Sequence, residues 1–86
     1  MQLSALAISV RGRISQIALR VLSDDVPEFS DTDVLIDAGL LDSPGVIELI
    51  IWLEDEFKIT IAENEVTFAN LGSVTAITAF IEAKAI

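Results

Sequence analysis

The sequence predicts an all-α fold, a small four-helix bundle with a long first loop and a short third helix. Apolar residues recur at steps of three and four in three separate stretches, the mark of helices that bury one face. Between the first two stretches lies a long aperiodic connection holding a proline, a glycine and clustered acids. The chain has 86 residues, 52% of them hydrophobic, which is enough for one packed core and too little for two. Residues 1–86 therefore read as a single domain.

The first helix is expected over residues 3–22, where Leu3, Leu6, Val10, Ile14, Ile17 and Val21 form the apolar stripe and Arg11, Arg13, Gln16 and Arg20 lie largely off it. Gly12 lowers the local helix propensity by about 1 kcal/mol relative to alanine, so periodicity rather than composition carries this element. Residues 23–42 form the long connection, with room for one short turn of helix. Phe29, Val34, Leu35, Ile36, Leu40 and Leu41 are the residues expected to pin it to the core, because loops of this length are uncommon unless anchored or functional. Over residues 43–57 the pattern is strongest: Val46, Leu49, Ile50, Leu53 and Phe57 share one face. Residues 58–62 look extended, residues 63–68 are expected to form the short third helix, and Leu71-Gly72 breaks the chain. Ser73 is the expected N-cap of a last helix, running to about Lys84 with Val74, Ile77, Phe80 and Ile81 inward.

Composition excludes several functions. With 5 basic and 14 acidic residues the formal net charge is −9, which repels nucleic-acid phosphates and anionic lipid headgroups. The same charge favours fast, salt-sensitive encounters with basic patches on other proteins. No cysteine is available for a disulfide or a thiolate-ligated metal. No histidine is available as general base or imidazole ligand, so autonomous catalysis is not expected. Asp31, Asp33 and Asp37 are spaced somewhat like calcium ligands, but glycine is missing from the sixth position of that loop and glutamate from the twelfth, so no metal is expected. The apolar run near the start is interrupted by Arg11 and Arg13 and follows no basic segment, so neither a signal peptide nor a membrane anchor is expected, and the cytoplasm is the expected compartment.

Asp42-Ser43-Pro44-Gly45 stands where the long loop meets the central helix. Ser43 reads as a candidate N-cap, with Pro44 in the first turn, where its missing N–H does no harm. The serine oxygen would lie beside free backbone N–H groups and the positive end of the helix dipole, a setting that suits a phosphodiester. Serine caps are common, so residue physics alone leaves this as a simple helix start.

The run over residues 39–61, GLLDSPGVIELIIWLEDEFKITI, resembles the acyl carrier protein family. That family carries Asp-Ser-Leu at the loop-to-helix junction, then a hydrophobe with Glu-Leu, and then an acidic stretch ending in Phe. Here those positions are Asp42-Ser43, Ile47-Glu48-Leu49 and Glu54-Asp55-Glu56-Phe57, and the likeness continues through Ile59, Ile61, Phe68, Leu71, Ser73-Val74, Ile77 and Phe80-Ile81. The resemblance implies that Ser43, flanked by Asp42, covalently carries 4'-phosphopantetheine, attached from coenzyme A by a phosphopantetheinyl transferase. The protein would be a stand-alone monomeric carrier, not an enzyme. It would hold an acyl or aminoacyl group as a thioester and shuttle it between loading and transfer enzymes in fatty-acid-like, polyketide or other specialised biosynthesis. Two positions depart from the pattern: Pro44 stands where leucine is usual and Gly45 where an acid is frequent, and both bear on which transferase recognises the domain.

On the central helix, Ile47 and Ile51 fall outside the inward stripe, beside Glu48, Glu54 and Asp55. These five residues are the candidate docking face for partners with basic grooves, as the resemblance also implies. Trp52, on the other flank, is expected to pack. A competing reading keeps the bundle but uses no arm, making the chain an acidic protein-interaction module.

Overall fold

The computed structural model describes residues 5–23 and 25–85. Among them the architecture is helical: α1 (Ala5–Leu22), α2 (Ser43–Phe57), α3 (Phe68–Leu71) and α4 (Val74–Ala85), with a single 3-10 turn at Glu63–Glu65. Leu3, assigned above to the first stripe, lies outside the described residues. The core is the product of three stripes meeting. Val10, Ile14, Ile17 and Ala18 of α1 face Leu49 and Leu53 of α2 and Val74, Ile77 and Ile81 of α4 in one buried cluster. α1 packs on both α2 and α4, while the short α3 packs on α4.

The long loop contributes Leu35, Leu40 and Leu41 to that cluster, and Phe29 and Val26 lie half-buried against it. Val34 and Ile36, expected as pins, stay exposed. The reason is the loop's own backbone: Ala38 N–H donates to Val34 O and Leu40 N–H to Leu35 O, one helix-like turn that carries Leu35 and Leu40 inward and leaves 34 and 36 on the outer side. Gly39, at φ +79, closes the turn in a conformation that side-chain-bearing residues resist. The loop is tied to the α3–α4 corner by Leu35 N–H to Gly72 O at 2.9 Å and Thr75 N–H to Asp31 O at 3.0 Å. Arg11 fastens its other side, donating to Asp31 at 2.7 Å and to Phe29 O at 2.9 Å, with its guanidinium 4.3 Å from the Phe29 ring centre.

The short third helix differs from the expectation of 63–68. The segment divides into the 3-10 turn and α3, because Val66 and Thr67 adopt non-helical backbone and the Thr67 hydroxyl caps α3 by accepting from Asn70 N–H at 3.2 Å. Asn70 Nδ2 in turn donates to Glu65 O, bridging the two pieces. Ser73 caps α4 as expected, accepting from Ala76 N–H at 3.1 Å.

Candidate functional site

The start of α2 is held from three directions. Asp42 has extended backbone, and its Oδ1 accepts from Gly45 N–H at 2.7 Å, making Asp42 and not Ser43 the N-cap. Asp42 O accepts from Val46 N–H, the first helical hydrogen bond. Leu40 and Leu41, just upstream, are sunk in the core, and Gly45 is buried against Ile17 of α1. Ser43 itself is exposed, and its hydroxyl makes no hydrogen bond among the described residues. The serine is thus relieved of structural duty and presented to solvent from a fixed turn.

This arrangement corrects the expectation that free amides surround the serine oxygen. Pro44 has no N–H, Gly45 N–H is taken by the Asp42 carboxylate and Val46 N–H by the Asp42 carbonyl. A phosphodiester on Ser43 would therefore gain the helix dipole but little direct backbone capture. The exposed Ser43 hydroxyl leaves room for a covalent group whose bond at Oγ would be its chief anchor.

From Ser43 the exposed ridge of α2 runs in steps of four: Ser43, Ile47, Ile51 and Asp55 are all solvent-facing, Ile47 at 59% and Ile51 at 60% of full exposure. Among the described residues no segment of the loop covers the two isoleucines. Glu48 lies on one flank, where Arg20 of α1 donates to it at 2.8 Å with both side chains half-exposed. Glu54 is placed differently from the rest of the candidate face: its carboxylate accepts from Ile61 N–H at 2.8 Å and ties the chain after α2 back onto the helix. Trp52 packs, meeting the Phe57 ring edge-on at 5.5 Å beneath the Arg13 guanidinium.

Beside the first two turns of α2 is an apolar cavity of about 180 Å³, lined by Leu41, Val46 and Leu49 together with Ile36, Val66 and Phe68 from the loop and the α3 region. Sequence periodicity did not find it, because Ile36, Val66 and Phe68 belong to no helical stripe. No signal in the spacing marks these three residues as one wall. The wall opposite α2 is fastened by Lys84, which donates to Thr60 O and to Glu65 at 2.8 Å. The Lys84 hydrogen bond, helped by the Ala62 N–H, holds the Glu65 carboxyl below the usual glutamate range. Asp31 and Asp33 are committed to Arg11 and to Ser30 N–H, and the described residues contain no cluster of metal-ligand type.

Comparison with known proteins meets this geometry. Residues 12–81 match the family described as "Phosphopantetheine attachment site". The chain is 36% identical over 75 residues to a D-alanyl carrier protein of Streptococcus pyogenes serotype M5 (strain Manfredo), covering 87% of this chain and 94% of that one. It is 43% identical over 58 residues to a D-alanyl carrier protein of Streptococcus suis (strain 05ZYH33), covering 67% and 72%. A D-alanyl carrier protein of Streptococcus mutans serotype c (strain ATCC 700610 / UA159) is 38% identical over the same length. No solved structure matches. The chain belongs to the phosphopantetheine-attachment family of carrier proteins. It bears 4'-phosphopantetheine covalently and is a carrier, not an enzyme, which sets aside the arm-free interaction module.

Proposed function

We propose that this member of the phosphopantetheine carrier family bears its arm on Ser43 and holds on it an activated amino acid as a thioester, passing it between partner enzymes. The observation that carries the attachment point is the division of labour at the start of α2: Asp42 does the capping, and Ser43, exposed and unbonded, heads the ridge that continues through Ile47 and Ile51. Modification forms a bond from Ser43 Oγ to the phosphorus that bears the pantetheine of coenzyme A. The pyrophosphate P–O bond breaks, adenosine 3',5'-bisphosphate leaves, and the hydroxyl proton passes to a base on the transferase. That base comes from the partner, since this chain has no histidine and Asp42 is occupied.

The D-alanyl relatives support aminoacyl cargo. The apolar cavity favours a second reading, a short aliphatic acyl group. A chain of a few carbons would bury its surface there, whereas an ammonium would shed water without gaining a partner. The carrier is read as one domain over residues 1–86, acting as a cytoplasmic monomer. Its partners would be a phosphopantetheinyl transferase and loading enzymes that present basic grooves to Ile47, Ile51, Glu48 and Asp55. Among the described residues no helix is long and apolar enough to cross a membrane.

Intact-protein mass spectrometry tests the attachment point. Incubation with coenzyme A and a broad-specificity transferase should add one phosphopantetheine to the parent and nothing to Ser43→Ala. A gain that persists in Ser43→Ala sinks the assignment. Loading of the modified protein by amino-acid-activating and by fatty-acyl-activating enzymes then separates the two cargo classes.

A further inference from the structure

Gly45 sits in the first turn of α2 with ordinary helical backbone, where glycine is among the least favourable choices. It is therefore there for space and not for a left-handed turn. A side chain at this position would put its Cβ 2.9 Å from Asp42 Oδ1, 3.1 Å from Ile17 Cγ2 and 3.6 Å from Leu41 Cδ2. Both of the first two distances are shorter than the about 3.5 Å at which such atoms rest, the contact with Asp42 Oδ1 the more so. The 3.1 Å approach to Ile17, a buried core residue, is the milder of the two and asks for a shift of a few tenths of an ångström. Asp42 Oδ1 is the closer contact, and its retreat lengthens and weakens the 2.7 Å bond it accepts from Gly45 N–H.

We propose that Gly45 is a positioning residue for the modification of Ser43: its missing side chain lets the Asp42 carboxylate and the α1 surface close on the same turn, fixing the backbone from which the Ser43 hydroxyl is presented. Any larger residue either releases the cap or lifts α2 off Ile17, and both displace Ser43, which lies between Asp42 and Gly45 in the chain. The proposal rests on Ser43 being the attachment point. It also gives a physical reason for the glycine found where an acidic residue is frequent in the wider family.

The test is the rate of phosphopantetheine transfer from coenzyme A, read as kcat/KM with a broad-specificity transferase, for the full chain, Gly45→Ala, Asp42→Ser and the double variant. Gly45→Ala should lower kcat/KM about tenfold, as misplacement of a reacting group by a fraction of an ångström does. The shorter serine cap relieves the clash, so in the Asp42→Ser background the same substitution should cost less than about twofold, a coupling that a double-mutant cycle isolates. Ile81→Val, which loosens the core on α4 far along the chain from Ser43, should leave kcat/KM within about twofold of the parent and so separates positioning from general stability.

A Gly45→Ala rate within about twofold of the parent overturns the proposal, as does a tenfold loss carried unchanged into the Asp42→Ser background. Loss of a cooperative melt in Gly45→Ala also overturns it, because Gly45 would then be a folding residue. In the unmodified parent, the Gly45 amide proton should exchange with solvent deuterium markedly more slowly than in Asp42→Ala, whose acceptor is gone. Equal exchange in the two proteins sinks the clasp whatever the other variants do. A parent that takes up no phosphopantetheine on Ser43 would instead sink the attachment point itself.

Discussion

The separation of the cap, Asp42, from the proposed attachment point, Ser43, makes a prediction that runs against the usual expectation for a helix-start serine. Replacing Asp42 by alanine removes the acceptor for Gly45 N–H, bonded at 2.7 Å, and leaves a buried glycine amide without a partner. Losing an N-cap costs about 1 kcal/mol, and losing its negative charge at the positive end of α2 adds about 0.3–1 kcal/mol. A loss of about 1–2 kcal/mol corresponds to a fall in Tm of about 4–16 °C for a domain of this size. Ser43→Ala removes an exposed hydroxyl that bonds to nothing and replaces it with a better helix former, so its effect stays within about 0.5 kcal/mol, or about 4 °C. Asp42→Asn keeps a side-chain oxygen in place and should recover most of the cap, isolating the charge. Circular-dichroism melts of the four unmodified proteins, backed by urea midpoints, measure all of this. If Ser43→Ala fell as far as Asp42→Ala, Ser43 would be the cap, and the claim that the serine is free for modification would be wrong.

The Glu65–Lys84 clasp should show itself in the pH dependence of stability. Because the folded-state pKa of Glu65 is held below the ordinary 4.5, its contribution is complete above that value and is lost as pH falls through the depressed one. Melts of the parent and Glu65→Gln should differ by a constant amount near neutrality and converge in acid. A difference that widened on acidification would reverse the sign and refute the clasp. On the docking ridge, Glu48→Lys and Asp55→Lys should slow loading several-fold at low ionic strength and converge with the parent near 1 M salt, where the Debye length is about 3 Å. Their folds should change by less than about 1 kcal/mol, since the Arg20 partner of Glu48 is half-exposed. Loading rates measured across a salt series decide this, and equal rates for both variants at low salt would remove the carboxylates from docking.

Much of this protein could be read from its residues. α2 was legible to its ends because an unbroken apolar stripe from Val46 to Phe57 begins after a loop and stops at Lys58, whose left-handed backbone closes the helix. The family was legible from the Asp42-Ser43 junction and the acidic stretch after it, and Ser43 is the attachment point proposed on that basis. The structural role of Ser43 was not legible, because Asp and Ser are both good caps in adjacent positions and Pro44 is acceptable after either one. Only the geometry shows which of the two oxygens reaches Gly45 N–H. Glu54 read as a surface acid for a similar reason: its partner, Ile61 N–H, comes back over the end of α2 through a turn that local spacing does not encode. The cavity was out of reach because its wall joins Ile36 to Val66 and Phe68, residues far apart in the chain and outside every helical period.

The two halves of the site have opposite mechanical demands, and the structure meets them with different devices. With Ser43 as the proposed attachment point, a transferase and a loading enzyme would both have to find one hydroxyl, and the turn that bears it is held by a cap, by Leu40 and Leu41 in the core, and by a glycine closed on Ile17. On the acyl reading the cavity wall would face the other demand, because whatever enters must also leave. There the chain uses a four-residue helix with Leu71 as its one core residue, a separate 3-10 turn and Phe68 at 68% exposure, with hydrogen bonds from Asn70 and Lys84 holding the rest. Elements with few buried apolar contacts open at low free-energy cost, while those sunk in the core open only with the whole domain. Amide exchange should therefore be slow along the inner face of α2 and fast across α3, so that the wall can open without disturbing the serine.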